Sequence, residues 1–178
     1  MKVKLVSYST PTEEFLNEGI DNAQELVAFC ARVSNPSNQL NTETSEKLIK
    51  YLIKNAHWSP LEMVSACLEI ETTRDIARQI LRHRSFSFQE FSQRYANPVK
   101  DLEFVTREAR LQDLKNRQNS FENDDEEISN MWIEKQEHLI NEARETYNWA
   151  IENGIAKEQA RAVLPEGNTV SRMYMNGT

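Results

Sequence analysis

Three features of the sequence predict an α+β fold, an antiparallel or mixed sheet flanked by helices. Apolar residues alternate at period two in Val3 to Tyr8, and again through Val64, Ala66, Leu68 and Ile70, the spacing that turns one face of a strand inward. After each of these stretches apolar residues recur at helical spacing, most plainly through Ile128, Trp132, Leu139, Ala143, Tyr147 and Ala150. The chain has 178 residues and no internal repeat or convincing linker. Residues 1–178 are therefore read as a single domain, large enough to bury ~70% of its unfolded surface.

The elements follow in order. The opening strand ends at Ser9-Thr-Pro-Thr. A helix capped by Asp21 or Asn22 then carries Leu26, Val27, Phe29 and Cys30, and Ser34-Asn-Pro-Ser breaks it. Thr42 can cap a second helix, with Glu43 and Glu46 near its positive end and Leu48, Tyr51, Leu52 and Ile53 facing inward, stopping near His57. Leu61 to Thr72 reads as a largely buried strand. From Thr73 to about His83 a helix buries Ile76 and Ile80 while Arg74, Arg78 and Arg82 recur on a second face. Leu102 to Thr106 is a further candidate strand, and the polar run from Arg107 to Glu127 is expected to be a mobile excursion. A long helix then runs to Asn153 with Gly154 as its stop, and Lys157 to Leu164 forms a short last helix ended by Pro165.

Composition excludes several classes of function. Mean hydropathy is −0.69, and no apolar run approaches the ~18 residues of a membrane span. The first residues do not resemble a signal peptide, so a cytoplasmic protein with no membrane partner is expected. A net charge of −7 with pI ≈ 5.1 argues against nucleic acid as a partner. The four glycines are too scattered for a glycine-rich phosphate loop, so side chains must hold any bound phosphate. Cys30 and Cys67 lack CxxC partners and read as buried thiols. His57, His83 and His138 lack paired ligand spacing, and no metal is expected.

Chemistry concentrates between Gln79 and Tyr95. Five of the 21 basic residues fall between Arg74 and Arg94, an excess that calls for an anion because guanidinium forks satisfy phosphate or carboxylate oxygens in pairs. Arg82-His83-Arg84 is followed by Phe86, Phe88, Phe91 and Tyr95 among Ser85, Ser87, Gln89, Glu90 and Ser92. Such a mixture offers stacking faces, donors and a carboxylate to a heterocyclic phosphate ligand.

This stretch resembles the signature of the flavin-dependent thymidylate synthases, RHRxxSxxExSxRY, with every fixed position present: Arg82, His83, Arg84, Ser87, Glu90, Ser92, Arg94 and Tyr95. Gln89 stands where the family often has Asn. His57-Trp-Ser-Pro-Leu-Glu62 is similar to the family's His-x-[Ser/Thr]-Pro-Phe-Glu-His, departing at Leu61 and Met63, and Ala160-Arg-Ala-Val-Leu-Pro165 to its Ala-Arg-x-x-Leu-Pro. The resemblance implies FAD contacts at His57, Ser59, Glu62, Arg82, His83, Arg84 and Glu90. It implies dUMP contacts at Gln79, Arg82, Glu90, Phe91, Ser92, Gln93, Arg94 and Arg161, the last from another subunit of a homotetramer. It also implies the reaction, dUMP to dTMP, with methylenetetrahydrofolate as carbon donor, NADPH as reductant and hydride delivered from reduced flavin.

No cysteine nucleophile is needed there, in keeping with the reading of Cys30 and Cys67, and Ser92 is read as a binder. The family continues past Leu-Pro into Asn-x-Arg and a further Arg thought to help ionise uracil N3. Thr178 falls about where that Asn stands, so no residue is assigned as catalytic and weak flavin binding with poor turnover is expected of this form. A non-catalytic nucleotide- or flavin-binding remnant is the second reading and a single-strand nucleic-acid module the third.

Overall fold

The computed structural model describes residues 1–178. The elements are β1 (Lys2–Tyr8), α1 (Glu13–Asn17), α2 (Ala23–Ala31), α3 (Ser45–Lys54), β2 (Ala66–Thr73), α4 (Arg74–Ile80), β3 (Ser87–Glu90), α5 (Pro98–Asp101), β4 (Arg110–Gln112), β5 (Ser120–Glu122), α6 (Glu126–Glu152), α7 (Lys157–Ala160) and β6 (Val170–Gly177). The expected α+β class holds: seven helices accompany an antiparallel sheet in the order β1-β2-β6-β3. The chain divides into two compact units. The first contains Met1–Lys2, Glu71–Arg82 and Glu90–Met173, and the second Val3–Ile70, His83–Gln89 and Tyr174–Thr178.

In the first unit, Glu71 of β2 accepts from Arg172 of β6 at 2.8 and 3.0 Å and lies 3.8 Å from Lys2 of β1. The core of this unit is Tyr147, Ala150, Ala160 and Leu164, with Val99, Phe104 and Ile151 packed against it. In the second unit, Glu69 accepts from the Tyr174 hydroxyl at 2.8 Å and pairs with Lys4 at 3.4 Å. There α2 packs on α3, burying Val27, Ala28 and Leu52.

The capping chemistry is local. Asn22 accepts from the Glu25 amide at the start of α2, and Asp125 from the Ile128 amide at the start of α6. Gly154 ends α6 with φ +79°, a conformation in which a Cβ is strained.

Several expectations are corrected. The residue before α3 is Thr44, not Thr42, and its hydroxyl accepts from Arg32 at 2.8 Å. Only Leu52 of the Tyr51-Leu52-Ile53 run is buried, because successive helical residues point about 100° apart and cannot share one face. Ser59–Met63, with Pro60 in its first turn, is a 3₁₀ segment, so the strand expected from Leu61 starts at Ala66. α4 ends at Ile80, where the Arg82 amide closes a tighter turn onto the Gln79 carbonyl. Leu102 to Thr106 contributes a single bridge, Phe104 to Thr169, rather than a strand.

The expected excursion after Arg107 contains a β4–β5 hairpin. The Asp113 carboxylate fastens its turn by accepting from the Lys115 and Asn116 amides and the Asn119 side chain. On α6 the buried face is Gln136, Ile140, Ala143, Tyr147 and Ala150, whereas Ile128, Trp132 and Leu139 are exposed. The last helix is α7 followed by a 3₁₀ turn over Arg161–Val163. Cys30 and Cys67 are half-buried rather than buried, although burial still pushes the Cys30 thiol up.

Candidate active site

The first unit holds every residue expected to touch the nucleotide: Gln79, Arg82, Glu90, Phe91, Ser92, Gln93, Arg94 and Arg161. The basic stripe of α4 does not face solvent as a whole. Arg74 is 5% exposed; its Nε donates to Glu166 Oε1 at 3.0 Å and its Nη1 lies 3.7 Å from Glu90 Oε1. Arg78 reaches the same two carboxylates, at 3.6 Å from Glu166 and 3.9 Å from Glu90. A guanidinium so buried needs such carboxylates, since an unpaired charge there costs several kcal/mol, about 3–5 when one partner of a buried pair is removed.

Farther along, Phe91 is hydrogen-bonded to β6 through its amide and the Arg172 carbonyl at 2.8 Å. Ser92 begins a tight turn, its carbonyl accepting from the Tyr95 and Ala96 amides and its hydroxyl from the Arg94 amide. Gln93 is buried, and its Nε2 has no partner in the protein. Glu158 links the two arginines expected at phosphate: its carboxylate pairs with Arg94 at 3.3 Å, and its carbonyl accepts from Arg161 Nε at 3.3 Å. Gln79 and Arg82 are exposed at the end of α4.

The second unit holds His57, Ser59, Glu62, His83 and Arg84, so the residues expected at FAD lie there except for Arg82 and Glu90. His57 follows α3, its amide bonded to the Leu52 carbonyl and its ring edge-on to Tyr51 at 6.0 Å. Ser59 and Glu62 sit on the 3₁₀ segment. His83 stacks on Phe86 with ring centroids 4.0 Å apart, and Phe86 meets Phe88 edge-on at 6.4 Å. Phe86 in turn lies on the backbone of Gly177, where an added Cβ would stand 2.1 Å from the ring. Glycine is required there by close approach. Arg82 and Arg84 have no carboxylate partner, unlike Arg74, Arg78 and Arg94, and both are exposed.

This donor set suits a flavin dinucleotide. Within the second unit the unpaired Arg84 guanidinium and the Ser59 hydroxyl are donors for pyrophosphate oxygens, the His83–Phe86 stack offers an aromatic face, and the Glu62 carboxylate is an acceptor for ribose or ring N–H.

A cavity of about 1330 Å3 lies elsewhere in the first unit, lined by residues of α6 and the β4 arm such as Trp132, Leu139, Arg110 and Leu111. None of the expected site residues lines it, and the distribution of cation and carboxylate partners is the better guide to chemistry than the size of this hollow. It does explain why Ile128, Trp132 and Leu139 are exposed: they form its wall. Arg107 closes one side, donating to Asp75, Thr73 and the Gly167 carbonyl.

The sequence reading missed Glu166 and Ser171, which hold Arg74 and Glu90 respectively. β6 is also absent from it, although Arg172, Tyr174 and Asn176 alternate with Met173 and Met175 in the manner of a strand.

Residues 16–178 match the family model described as thymidylate synthase complementing protein. The chain is 48% identical over 178 residues to a probable flavin-dependent thymidylate synthase of Paramecium bursaria Chlorella virus 1, covering all of this chain and 79% of that protein. It is 47% identical over 179 residues to the flavin-dependent thymidylate synthase of Synechocystis sp., covering all of this chain and 80% of that one. Among solved structures, the UMP/dUMP methylase PolB from Streptomyces cacaoi bound with 5-Br dUMP aligns with a TM-score of 0.79 at 26% identity, over 99% of this chain and 72% of that one. With the full signature, the matching fold and relatives of this identity in agreement, the chain belongs to the thymidylate synthase complementing protein family, the flavin-dependent thymidylate synthases.

Proposed function

We propose that the chain converts dUMP to dTMP with FAD as its flavin, methylenetetrahydrofolate as carbon donor and NADPH as reductant, working as a cytoplasmic homotetramer. The observation that carries this reading is the distribution of ion pairs. In a chain of net charge −7, Arg82 and Arg84 stand exposed without a carboxylate while their neighbours in the basic cluster are paired. Two free guanidinium groups in a signature segment are suited to anionic ligands.

A bound flavin would supply the redox chemistry, as the source of hydride for the reaction. The chain binds and orients. Arg94 and, from another subunit, Arg161 neutralise the nucleotide phosphate, with Ser92 and the backbone beside it as hydrogen-bonding groups, and Gln79, Arg82 and Glu90 orient the nucleoside. The buried amide of Gln93 has a donor left to give. His83 and Arg84, with Arg82, hold the cofactor, and His57, Ser59 and Glu62 lie at it. The exposed apolar residues of α6 outside the cavity wall, Met131 and Trp149 among them, support self-association.

The test is dTMP formation from dUMP by the purified chain with FAD, methylenetetrahydrofolate and NADPH, each omitted in turn. Product that disappears with any single omission is the expected result. Product formed without added or bound flavin, or no product from the folded, flavin-loaded chain, contradicts the proposal.

A further inference from the structure

The signature glutamate has a holder of its own. Glu90 ends β3, and its side chain is 17% exposed. The Ser171 hydroxyl on β6 lies 2.8 Å from Glu90 Oε1. An ionised carboxylate only accepts, so this hydroxyl donates, and at 1% exposure it has no solvent to turn to instead. The buried Arg74 guanidinium adds its charge on the same oxygen at 3.7 Å. Oε2 has only the 3.9 Å ion pair with half-exposed Arg78.

The holder is built from one short segment of chain. Glu166 fixes the Arg74 guanidinium, the Thr169 carbonyl accepts from the Arg74 amide at 2.9 Å, and Ser171 reaches Glu90. All of these residues belong to the first unit. A glutamate otherwise has freely turning side-chain bonds and a terminal torsion with two equivalent settings, so either oxygen can face a ligand. Anchoring Oε1 removes that degeneracy.

We infer that Ser171 and Arg74 are positioning residues for Glu90. They take up Oε1 and leave Oε2 as the oxygen that accepts an N–H or O–H from the bound nucleotide. The inference rests on the reading of Glu90 as a dUMP contact and adds what sets its geometry. Ser171 acts through Glu90 and does not itself touch the ligand.

A double-mutant cycle on the full chain tests it, with dUMP affinity read by calorimetry for wild type, Ser171→Ala, Glu90→Ala and the double variant. Loss of one hydrogen bond to a charged group is expected to weaken dUMP binding about ten-fold in Ser171→Ala. In the Glu90→Ala background the same substitution is expected to add nothing, the non-additivity of two residues acting as one. Unfolding midpoints without ligand accompany the cycle, and a general weakening of the fold appears on both of its sides and cancels. Wild-type affinity in Ser171→Ala, or a full further loss in the double variant, overturns the inference while leaving the site reading intact. Wild-type dUMP affinity in Glu90→Ala overturns the reading of Glu90, and the inference with it.

Discussion

The segment from Arg82 to Tyr95 changes character at Glu90. Before it, His83, Arg84, Ser85 and Ser87 are exposed, and order comes from the short strand β3 and one ring stack resting on a bare glycine backbone. From Glu90 onward the chain is tied down: a carboxylate held by a serine and two arginines, an amide bonded to β6, a buried glutamine and a tight turn at Ser92. Glu90, Phe91, Ser92 and Gln93 are thus preset by their own chain, whereas the Arg82 and Arg84 side chains, expected at the cofactor, stand exposed without a carboxylate partner. Ordering an exposed, rotamer-rich side chain costs about 0.5–1.5 kcal/mol, a cost that falls on flavin binding.

The sharpest way to break the comparison is to substitute one arginine on each side. Arg74→Met removes the buried cation shared by Glu90 and Glu166, leaving them only the half-exposed Arg78, and is expected to cost about 3 kcal/mol in urea unfolding. Arg84→Ala, with no partner to lose, is expected to stay within about 0.5 kcal/mol of wild-type stability while flavin affinity falls about ten-fold. Equal stability losses in the two variants would erase the distinction drawn here.

The ring stack comes next in size. Gly177→Ala drives a methyl into Phe86, and overpacking of this kind costs about 1–3 kcal/mol. The displaced Phe86 takes His83 with it, so flavin titrations are expected to weaken while dUMP calorimetry stays unchanged. Unchanged flavin affinity would remove His83 from the account.

A smaller effect concerns pH. Burial pushes the Asp75 carboxyl up, but the Thr73 hydroxyl, the Ile76 amide and the Arg107 guanidinium more than reverse this and hold it below its usual range. A depressed folded value stabilises the fold above the unfolded value of about 3.9, and that stabilisation fades as pH falls through the folded value. The gap in melting temperature between wild type and Asp75→Asn is therefore expected to be widest near neutrality and to close below about pH 4. A gap constant with pH would contradict the assignment.

Smallest is Glu158→Gln. This ion pair with Arg94 is half-exposed and contributes under about 1 kcal/mol to stability, so melting should hardly change. Arg94 is then freed for phosphate, and dUMP affinity is expected to rise slightly at low salt; a marked fall would mean that Glu158 positions Arg94 rather than competing for it.

What the sequence revealed follows the range of the forces involved. β1, α2 and α6 were legible because periodicity and a cap such as Asn22 act within a few residues, although every residue of β1 is exposed. The β4–β5 hairpin was not, because its turn depends on one carboxylate gathering three donors in a segment that reads as merely polar. β3 is four residues inside a motif dominated by its chemistry. The signature residues stood out by type and spacing, yet the partners that hold them did not. Ser171 lies 81 residues from Glu90, and Glu166 lies 92 residues from Arg74, separations at which periodicity carries no signal.

The most direct measurement is a titration of the purified chain with FAD, followed by flavin absorbance, without and with saturating dUMP. Arg82 and Glu90 belong to both expected sets of contacts, so nucleotide bound to them orders part of the cofactor site in advance, and binding free energies couple reciprocally. The account predicts weak flavin binding alone and clearly tighter binding with dUMP. Flavin affinity indifferent to saturating dUMP, in a folded chain that binds both, would contradict it.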